Sequence, residues 1–314
     1  NKRMQDNIYI IGHKSQDLDS VAAAIRYAAL KNSLENTDRY IPAVAGVINK
    51  ESRYALDKFG FDIPEKLDSI AQKTVILVDH NELSQSAEGI KEAFVVEILD
   101  HHKLDFKNSE PIAVTIKPWG ASCTLICDLY MNNTVAIDKN LAGLMLSAIL
   151  VDTVITKSPT CTEIDEEIIN RLSGVAGIDD WEKFGMDIFK VRSDISDLSD
   201  LEIIKSDFKD FIFNDNKFGI GQVETADLKQ FESREGKLLE QMEEMMSSDN
   251  YHSVVLFLTD IVNVGSKFLV VSKETSKVEE ALGSKLENKK VYIPGVVSRK
   301  KQVAPKFSKV FDKE

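Results

Sequence analysis

Cysteine is scarce. Cys123, Cys127 and Cys161 are the only three in 314 residues, and no two are spaced as CxxC. An odd count without paired spacing argues against a disulfide framework and a thiolate zinc site, and it suits a reducing cytoplasm. Long apolar runs are missing too: none approaches the ~18 residues of a membrane-crossing helix, and the opening "NKRMQDN" lacks the apolar core of a signal peptide. A cytoplasmic chain with no membrane partner is the expectation. Positive charge is in deficit, with 39 Lys and Arg against 51 Asp and Glu and a net charge of −12. The summed field therefore repels extended polyanions, so nucleic acid is not an expected partner. No GxxxxGK[ST] loop, GxGxxG fingerprint or GxSxG elbow occurs, which sets aside nucleotide cradling and serine-hydrolase chemistry.

What is present is an apolar content of 43%, enough for a substantial core, over a length that suits about two domains of ~100–200 residues. Apolar, β-branched runs alternate with helical patterns: "NIYIIGH" then "SVAAAIRYAALKN", "KTVILVDH" then "SAEGIKEAF", "FVVEILDHH" and later "ASCTLICDLYM". Such alternation predicts an α/β fold with a mostly parallel sheet flanked by helices. "KNLAGLMLSAILVDT" reads as a buried helix ending near Asp152, and "SPTCTEIDEEIINRL" carries helix-capping signals.

The charged, Ser-rich stretch "KVRSDISDLSDLEI" marks a boundary. The expected organisation is a first domain over 1–193, a linker over 194–198 and a second domain over 199–314. In the second, "FIFNDNKFGIGQVET" reads as a hairpin, "REGKLLEQMEEMMSS" as an amphipathic helix, and "YHSVVLFLTDIV" and "KFLVVSK" as strands, giving a smaller mixed α/β domain.

Ligands of open parallel sheets bind beyond the carboxyl ends of the strands, and polar clusters sit at those ends here. His13, Asp17 and Asp19 follow the first run, Asp79 and His80 the second, Asp100, His101 and His102 the third, while Asp152 ends a helix. A single aspartate in such a place is usually a cap or turn former. Four of the five histidines falling at expected strand ends is a different matter, because clustered titratable groups mark sites. Carboxylates and imidazoles converging from separate elements suit divalent metals of the Mn²⁺, Mg²⁺ or Co²⁺ type. Cys123 and Cys127, four apart among apolar neighbours, read as packing residues. Trp119-Gly120 either shapes a loop over the site or makes a plain turn. Arg299, Lys300, Lys301 and Lys306 in "GVVSRKKQVAPK" form a basic run. Facing an acidic metal site across an interdomain cleft, it could clamp a small polyanion such as phosphate.

The strings "GHKSQDLDS", "VILVDHNE", "ILDHHK", "GLMLSAILVDTVITKSPTCTEID" and "PGVVSRKKQ" resemble, in order and spacing, the motifs of the DHH superfamily. The closest likeness is to its family II inorganic pyrophosphatases, which carry a DHHA2-type C-terminal domain. The resemblance implies hydrolysis of pyrophosphate to two orthophosphates in a cytoplasmic homodimer, with an active site in the interdomain cleft. It implies two Mn²⁺ or Co²⁺ ions per site, with Mg²⁺ as a substrate-bound or alternative ion. His13 and Asp17 would hold one ion, Asp19, His101 and Asp152 the other, and Asp79 would bridge them. Asp100 would orient a histidine, His102 would stand near substrate as a proton donor or charge stabiliser, and Lys209, Arg299 and Lys300 would bind substrate. Gln222 matches a family string without a role. Alternatives within the superfamily are an exopolyphosphatase or a non-enzymatic prune-like scaffold.

The first motif departs from the family's H-K-N-P-D-x-D at Ser15 and Gln16, where loss of proline frees one turn dihedral. Asp79 and His101 are 22 positions apart, leaving no room for a nucleotide-sensing insertion. No Gly-Gly-Gly-His motif of the nuclease branches occurs.

Overall fold

A computed structural model describes residues 7–312. The chain divides into two units, one ending at Arg192 and one starting at Ser193. In the first unit, β1 (Ile8–Ile11), α1 (Leu18–Glu35), β2 (Tyr40–Val44), α2 (Lys50–Phe59) and β3 (Glu65–Lys66) alternate. β4 (Thr74–Val78), β5 (Phe94–Asp100) and β6 (Ala113–Ile116) follow, then four helices: α3 (Ser122–Asn132), α4 (Lys139–Asp152), α5 (Glu163–Ala176) and α6 (Trp181–Arg192).

The six strands form one sheet in the order β3-β2-β1-β4-β5-β6, with every pair parallel. The chain runs outward from β1 to β3 and then returns to β4 on the other side of β1. The β1/β4 boundary is therefore a topological switch point, where the connections leaving two adjacent strands diverge and open a crevice at their carboxyl ends. Ile11, Ala43, Val75, Leu77 and Ile98 form a core on these strands.

The helical pattern read in "SAEGIKEAF" does not form a helix. Between β4 and β5 only two short 3₁₀ turns occur, Leu83–Gln85 and Ile90–Glu92. Gly89 explains the break: its φ of 84° lies in the left-handed region, and a Cβ there would lie 2.5 Å from the Ala71 amide nitrogen. A bare, left-handed residue pressed onto a neighbouring backbone splits the segment that its apolar spacing alone would keep helical.

Helix α4 is buried from Ala142 to Val151, as its nearly continuous apolar run requires. It meets α2 at Gly143, where a Cβ would approach the Phe59 ring to 2.1 Å. Gly143→Ala is therefore expected to overpack this crossing by about 1–3 kcal/mol and to lower the melting temperature by roughly 2–10 °C. An unchanged melting curve would show that the Phe59 ring has room to retreat.

The second unit contains α7 (Asp200–Lys205), β7 (Phe208–Phe213), β8 (Asn216–Thr225), α8 (Glu235–Ser248), β9 (Ser253–Asp260), β10 (Gly265–Ser272), α9 (Thr275–Leu282), β11 (Lys290–Pro294) and α10 (Ala304–Phe311). Its sheet order is β11-β10-β9-β8-β7, antiparallel except for the parallel β8–β9 pair. β9 is buried along its whole length because helices cover both faces of the sheet. Asn214 and Asp215, at φ 46° and 63°, make the two-residue turn that joins β7 to β8. The 195–198 stretch is built into this unit: Ile195 and Leu198 pack in its core, and the Arg234 guanidinium donates to both their carbonyls.

Candidate metal centre

The site begins where β1 stops. A Cβ on Gly12 would lie 2.5 Å from the Ser20 Cβ, so only glycine lets the end of β1 approach the first turn of α1 this closely. His13 follows immediately. Asp17 is the N-cap of α1: its Oδ1 accepts from the Ser20 amide at 2.8 Å, while its Oδ2 faces His13 Nε2 at 3.0 Å. The capping reading and the site reading of this aspartate are thus both correct, one for each carboxylate oxygen. Between these residues the buried Gln16 carboxamide donates to the His13 carbonyl, and its Oε1 is buried without a partner. A side-chain tie here does part of what proline would do by fixing a dihedral.

Asp19, in the first turn of α1, is almost fully buried. It accepts from the amides of Ser122 at 2.6 Å and Cys123 at 2.9 Å, buried first-turn donors of α3 that have no acceptor within the helix. Asp79 leaves β4 with φ 60°, a conformation that aspartate tolerates better than most residues. That turn aims its carboxylate at both flanks. Oδ2 accepts from the Ser20 hydroxyl at 2.7 Å and lies 3.4 Å from His13 Nε2. Oδ1 accepts from the Ser122 hydroxyl at 3.0 Å and lies 3.1 Å from His101 Nε2. Asp152, the last residue of α4, is 3.5 Å from the same His101 nitrogen.

His101 is held from behind, with Nδ1 3.0 Å from the Trp119 carbonyl. A carbonyl only accepts, so Nδ1 carries the proton and Nε2 faces the carboxylates. That buried nitrogen lies within ion-pair distance of Asp79 and Asp152 but is in no hydrogen bond. With Nδ1 protonated, Nε2 can face two carboxylates only if it carries a second proton or a cation stands between them, and a buried imidazole nitrogen aimed into carboxylates is the donor that a metal takes in place of a proton.

The electrostatics say the same. Burial pushes down the His13 and His101 imidazoles, yet their carboxylate neighbours overcome it and pull both up to about 11. Burial, together with repulsion from Asp79, pushes Asp19 up to about 7, and burial with Asp19 pushes Asp152 upward. Asp79 is held well below the usual carboxylate range, because His101 and His13 outweigh its burial. Left to protons alone, the group has to neutralise some of its own acids, which divalent charge relieves.

Potential ligand atoms of Asp19, Asp79, His101 and Asp152 lie within 4.8 Å of one another, and so do those of His13, Asp17 and Asp79. Asp79 belongs to both groups. An oxygen-rich donor set with imidazole and no thiolate fits Mn²⁺-type ions. The same proximity links Asp79, Asp100, His101 and His102. Asp100, wholly buried at the end of β5, accepts from the amides of His101 and His102, from Asn81 Nδ2 at 2.7 Å, and binds His102 Nδ1 at 2.8 Å. The histidine it orients is therefore His102. Its carboxylate raises His102 against the opposing effect of burial, and the ring is 55% exposed.

His80, the fourth histidine at a strand end, is turned away. Its nitrogens meet the Val78 carbonyl and the Ser86 hydroxyl, and burial pushes its pKa down. Ser20, Ser122 and Asn81 escaped the sequence reading, although Ser20 adjoins Asp19 and Ser122 lies in the segment after Trp119-Gly120.

In the second unit, Lys209 is an exposed residue of β7 whose register partner is Ile220. Arg299 is buried: Nη1 donates to the carbonyls of Asp207 and Ile220, and Nη2 to Asp207 Oδ1 at 2.6 Å. Those bonds place Arg299 beside Lys209 at one edge of the sheet. Arg299 starts a single π-helical turn, Arg299–Val303, in which Lys300 and Lys301 are exposed. Gln222 donates to Thr259 Oγ1 and the Val297 carbonyl, and Gln302 accepts from the Val297 and Ser298 amides. Two carboxamides thus fix the segment that leads into the basic turn.

Residues 7–149 match the DHH family, N-terminal domain, and residues 186–310 match the DHHA2 domain. A manganese-dependent inorganic pyrophosphatase from Methanothrix thermoacetophila is 44% identical over 313 residues, covering 99% of this chain and 100% of that protein. Its counterpart from Methanocaldococcus jannaschii is 41% identical over 97% of this chain and 99% of that one. A crystal structure from Methanococcus jannaschii, assigned to the family II inorganic pyrophosphatases, superposes with a TM-score of 0.74 at 39% identity and covers 98% of this chain and 100% of that one. With both domains matched and full-length relatives at this identity, the chain belongs to the family of manganese-dependent, family II inorganic pyrophosphatases.

Proposed function

We propose that this chain hydrolyses inorganic pyrophosphate to two orthophosphates at a two-manganese centre. The observation that carries the reading is Asp79, whose two oxygens belong to two separate donor groups. His13, Asp17 and Asp79 would hold one Mn²⁺ or Co²⁺, and Asp19, His101, Asp152 and Asp79 the other. When bound, such a pair supplies Lewis-acid charge and lowers the pKa of water towards neutrality.

The side chains account for the rest. Ser20 and Ser122 hold both oxygens of Asp79 by donating to them, so the shared carboxylate does not rotate out of register. Asp100 anchors His102 by Nδ1, which leaves Nε2 of an exposed, proton-retaining ring to donate to a phosphate oxygen. Lys209, Arg299 and Lys300 are assigned to phosphate oxygens, where positive charge most helps phosphoryl transfer. Family membership and the shared sheet edge of Lys209 and Arg299 support this. Arg299 uses three of its five N–H donors on Asp207 and Ile220, leaving Nε–H and one Nη2–H for substrate. Mg²⁺ would act as the substrate-bound or alternative ion.

Orthophosphate release from pyrophosphate and from long-chain polyphosphate, each with Mn²⁺ and with Mg²⁺, tests the proposal. Pyrophosphate should be strongly preferred and Mn²⁺ should give the higher rate. A preference for long chains would point to an exopolyphosphatase, and no turnover of either to a scaffold. Three free thiols support a reducing, cytoplasmic setting. Family membership supports a homodimer, and the sheet edge made by β6 (Val114) and the start of β5 beyond its pairing (Phe94, Val96) exposes apolar side chains that offer surface for it. Light scattering on the purified chain checks the mass.

A further inference from the structure

Immediately after Asp152 the backbone turns left-handed. Val154, Ile155 and Thr156 have φ of 51°, 51° and 63°, the only run of three consecutive non-glycine residues with positive φ among those described. All three are β-branched, the class that tolerates this region worst, because the branched Cβ crowds the following carbonyl. Glycine would adopt the same dihedrals without that crowding.

The turn is closed like a helix terminator. Val154 N–H donates to the Val151 carbonyl at 3.1 Å and Ile155 N–H to the Leu150 carbonyl at 2.7 Å, the paired bonds of a Schellman ending whose left-handed position is normally glycine. Ser158 N–H returns to the Thr153 carbonyl at 2.8 Å, and the Thr153 hydroxyl donates to the Ile149 carbonyl at 2.7 Å. Contacts from elsewhere in the unit hold the strained conformation. Ile155 is buried against the bare backbone of α6, where a Cβ on Gly185 would lie 2.9 Å from its Cγ1. Thr153 is wholly buried, and its Cγ2 would lie 2.6 Å from a Cβ on Gly120.

Strain that the surrounding structure over-determines clusters at functional sites, and here it abuts Asp152. The last turn of a helix ordinarily frays. Asp152 occupies that last turn, yet it has to hold its carboxylate among Asp19, Asp79 and His101, which lie close enough to share an ion. We propose that the left-handed Val154–Thr156 turn is a positioning device that locks the C-terminus of α4, so that Asp152 meets the second metal without a loss of chain freedom on binding. This rests on the two-metal reading above. Stiff β-branched residues serve the purpose better than glycine because they have few alternative backbone states to visit.

The test is the double variant Val154→Gly/Thr156→Gly, measured as full-length protein for Mn²⁺ affinity by titration calorimetry, for melting temperature without metal, and for kcat and KM on pyrophosphate. Thr134→Gly is the control: Thr134 is likewise β-branched with φ 56° but sits past the far end of α3 from Ser122. The expected result is an equal or higher melting temperature for both proteins, with one of the two Mn²⁺ sites loosened about tenfold and kcat lowered about tenfold at unchanged KM in the double variant only. Unchanged Mn²⁺ affinity and kcat in the double variant would overturn the proposal. A fall in its melting temperature equal to that caused by Ile155→Ala would also overturn it, by showing that the turn merely packs. A wild-type chain inert towards pyrophosphate would count against the proposed function instead, because the Mn²⁺ titration still reads the role of the turn.

Discussion

Asp79→Ala is expected to lower Mn²⁺-supported pyrophosphate hydrolysis by on the order of 10³-fold or more, about 4 kcal/mol of transition-state stabilisation. It should also reduce tightly held manganese below two ions per chain. The size follows from position: of the two groups assigned to the ions, each of the other five proposed ligands belongs to one, whereas Asp79 belongs to both. Its removal also leaves the Ser20 and Ser122 hydroxyls without their acceptor and takes from His13 and His101 the carboxylate that each faces. Asp17→Ala makes the comparison, since it deletes one ligand of one group and the N-cap of α1, a loss of about 1 kcal/mol in stability. Metal analysis of the purified proteins and a phosphate-release assay decide the matter. Near-wild-type turnover with two ions retained in Asp79→Ala would remove this aspartate from the centre of the site.

The groups that the sequence places at strand ends are the ones the fold gathers, and the reason is topological. Short continuous apolar, β-branched runs locate strands, a parallel sheet puts all their carboxyl ends on one side, and polar residues just beyond them have few places to go but the crevice at the β1/β4 switch point. His80 shows the limit of that argument. It follows a strand end like its neighbours, but Asp79 takes the left-handed turn and the next side chain is directed to Ser86. Ser20 and Ser122 were illegible for another cause: hydroxyls are common, and only tertiary pairing shows which two donate to one carboxylate. The basic run "RKK" reads as three similar positions, whereas Arg299 is buried on Asp207 and Lys300 is not. Sequence spacing carries no record of a π-helical turn, which is what separates them. The helix read between β4 and β5 failed at Gly89, where a close backbone approach overrode apolar periodicity.

Removing the metal should make stability strongly dependent on pH, in a direction opposite to that of an ordinary acidic protein losing salt bridges in acid. His13 and His101 are raised from 6.5 to about 11 in the metal-free fold. The stability they contribute is complete below their unfolded pKa and is lost as pH rises towards 11. Asp19 is raised to about 7 and Asp152 is also raised, so ionising them costs the fold as pH climbs above the unfolded value of about 4. All four therefore weaken the metal-free chain in the same direction. Among the six proposed ligands, Asp79, held low, opposes them, and its contribution is lost as pH falls below the unfolded carboxylate value. Metal ligation needs these groups deprotonated, so bound Mn²⁺ stabilises the very forms that metal-free folding penalises. Between pH 6.5 and 8.5 two imidazoles alone allow up to about 5 kcal/mol of difference at 2.303RT per proton per pH unit. The gap in melting temperature between the Mn²⁺-loaded and EDTA-treated protein should accordingly widen by about 10 °C over that interval. Calorimetric titration at pH 7.5 in buffers of different ionisation enthalpy should report about two to four protons released as both ions bind. A gap that stays constant with pH, together with no proton release, would mean that the imidazoles and carboxylates in this cluster do not hold the metal.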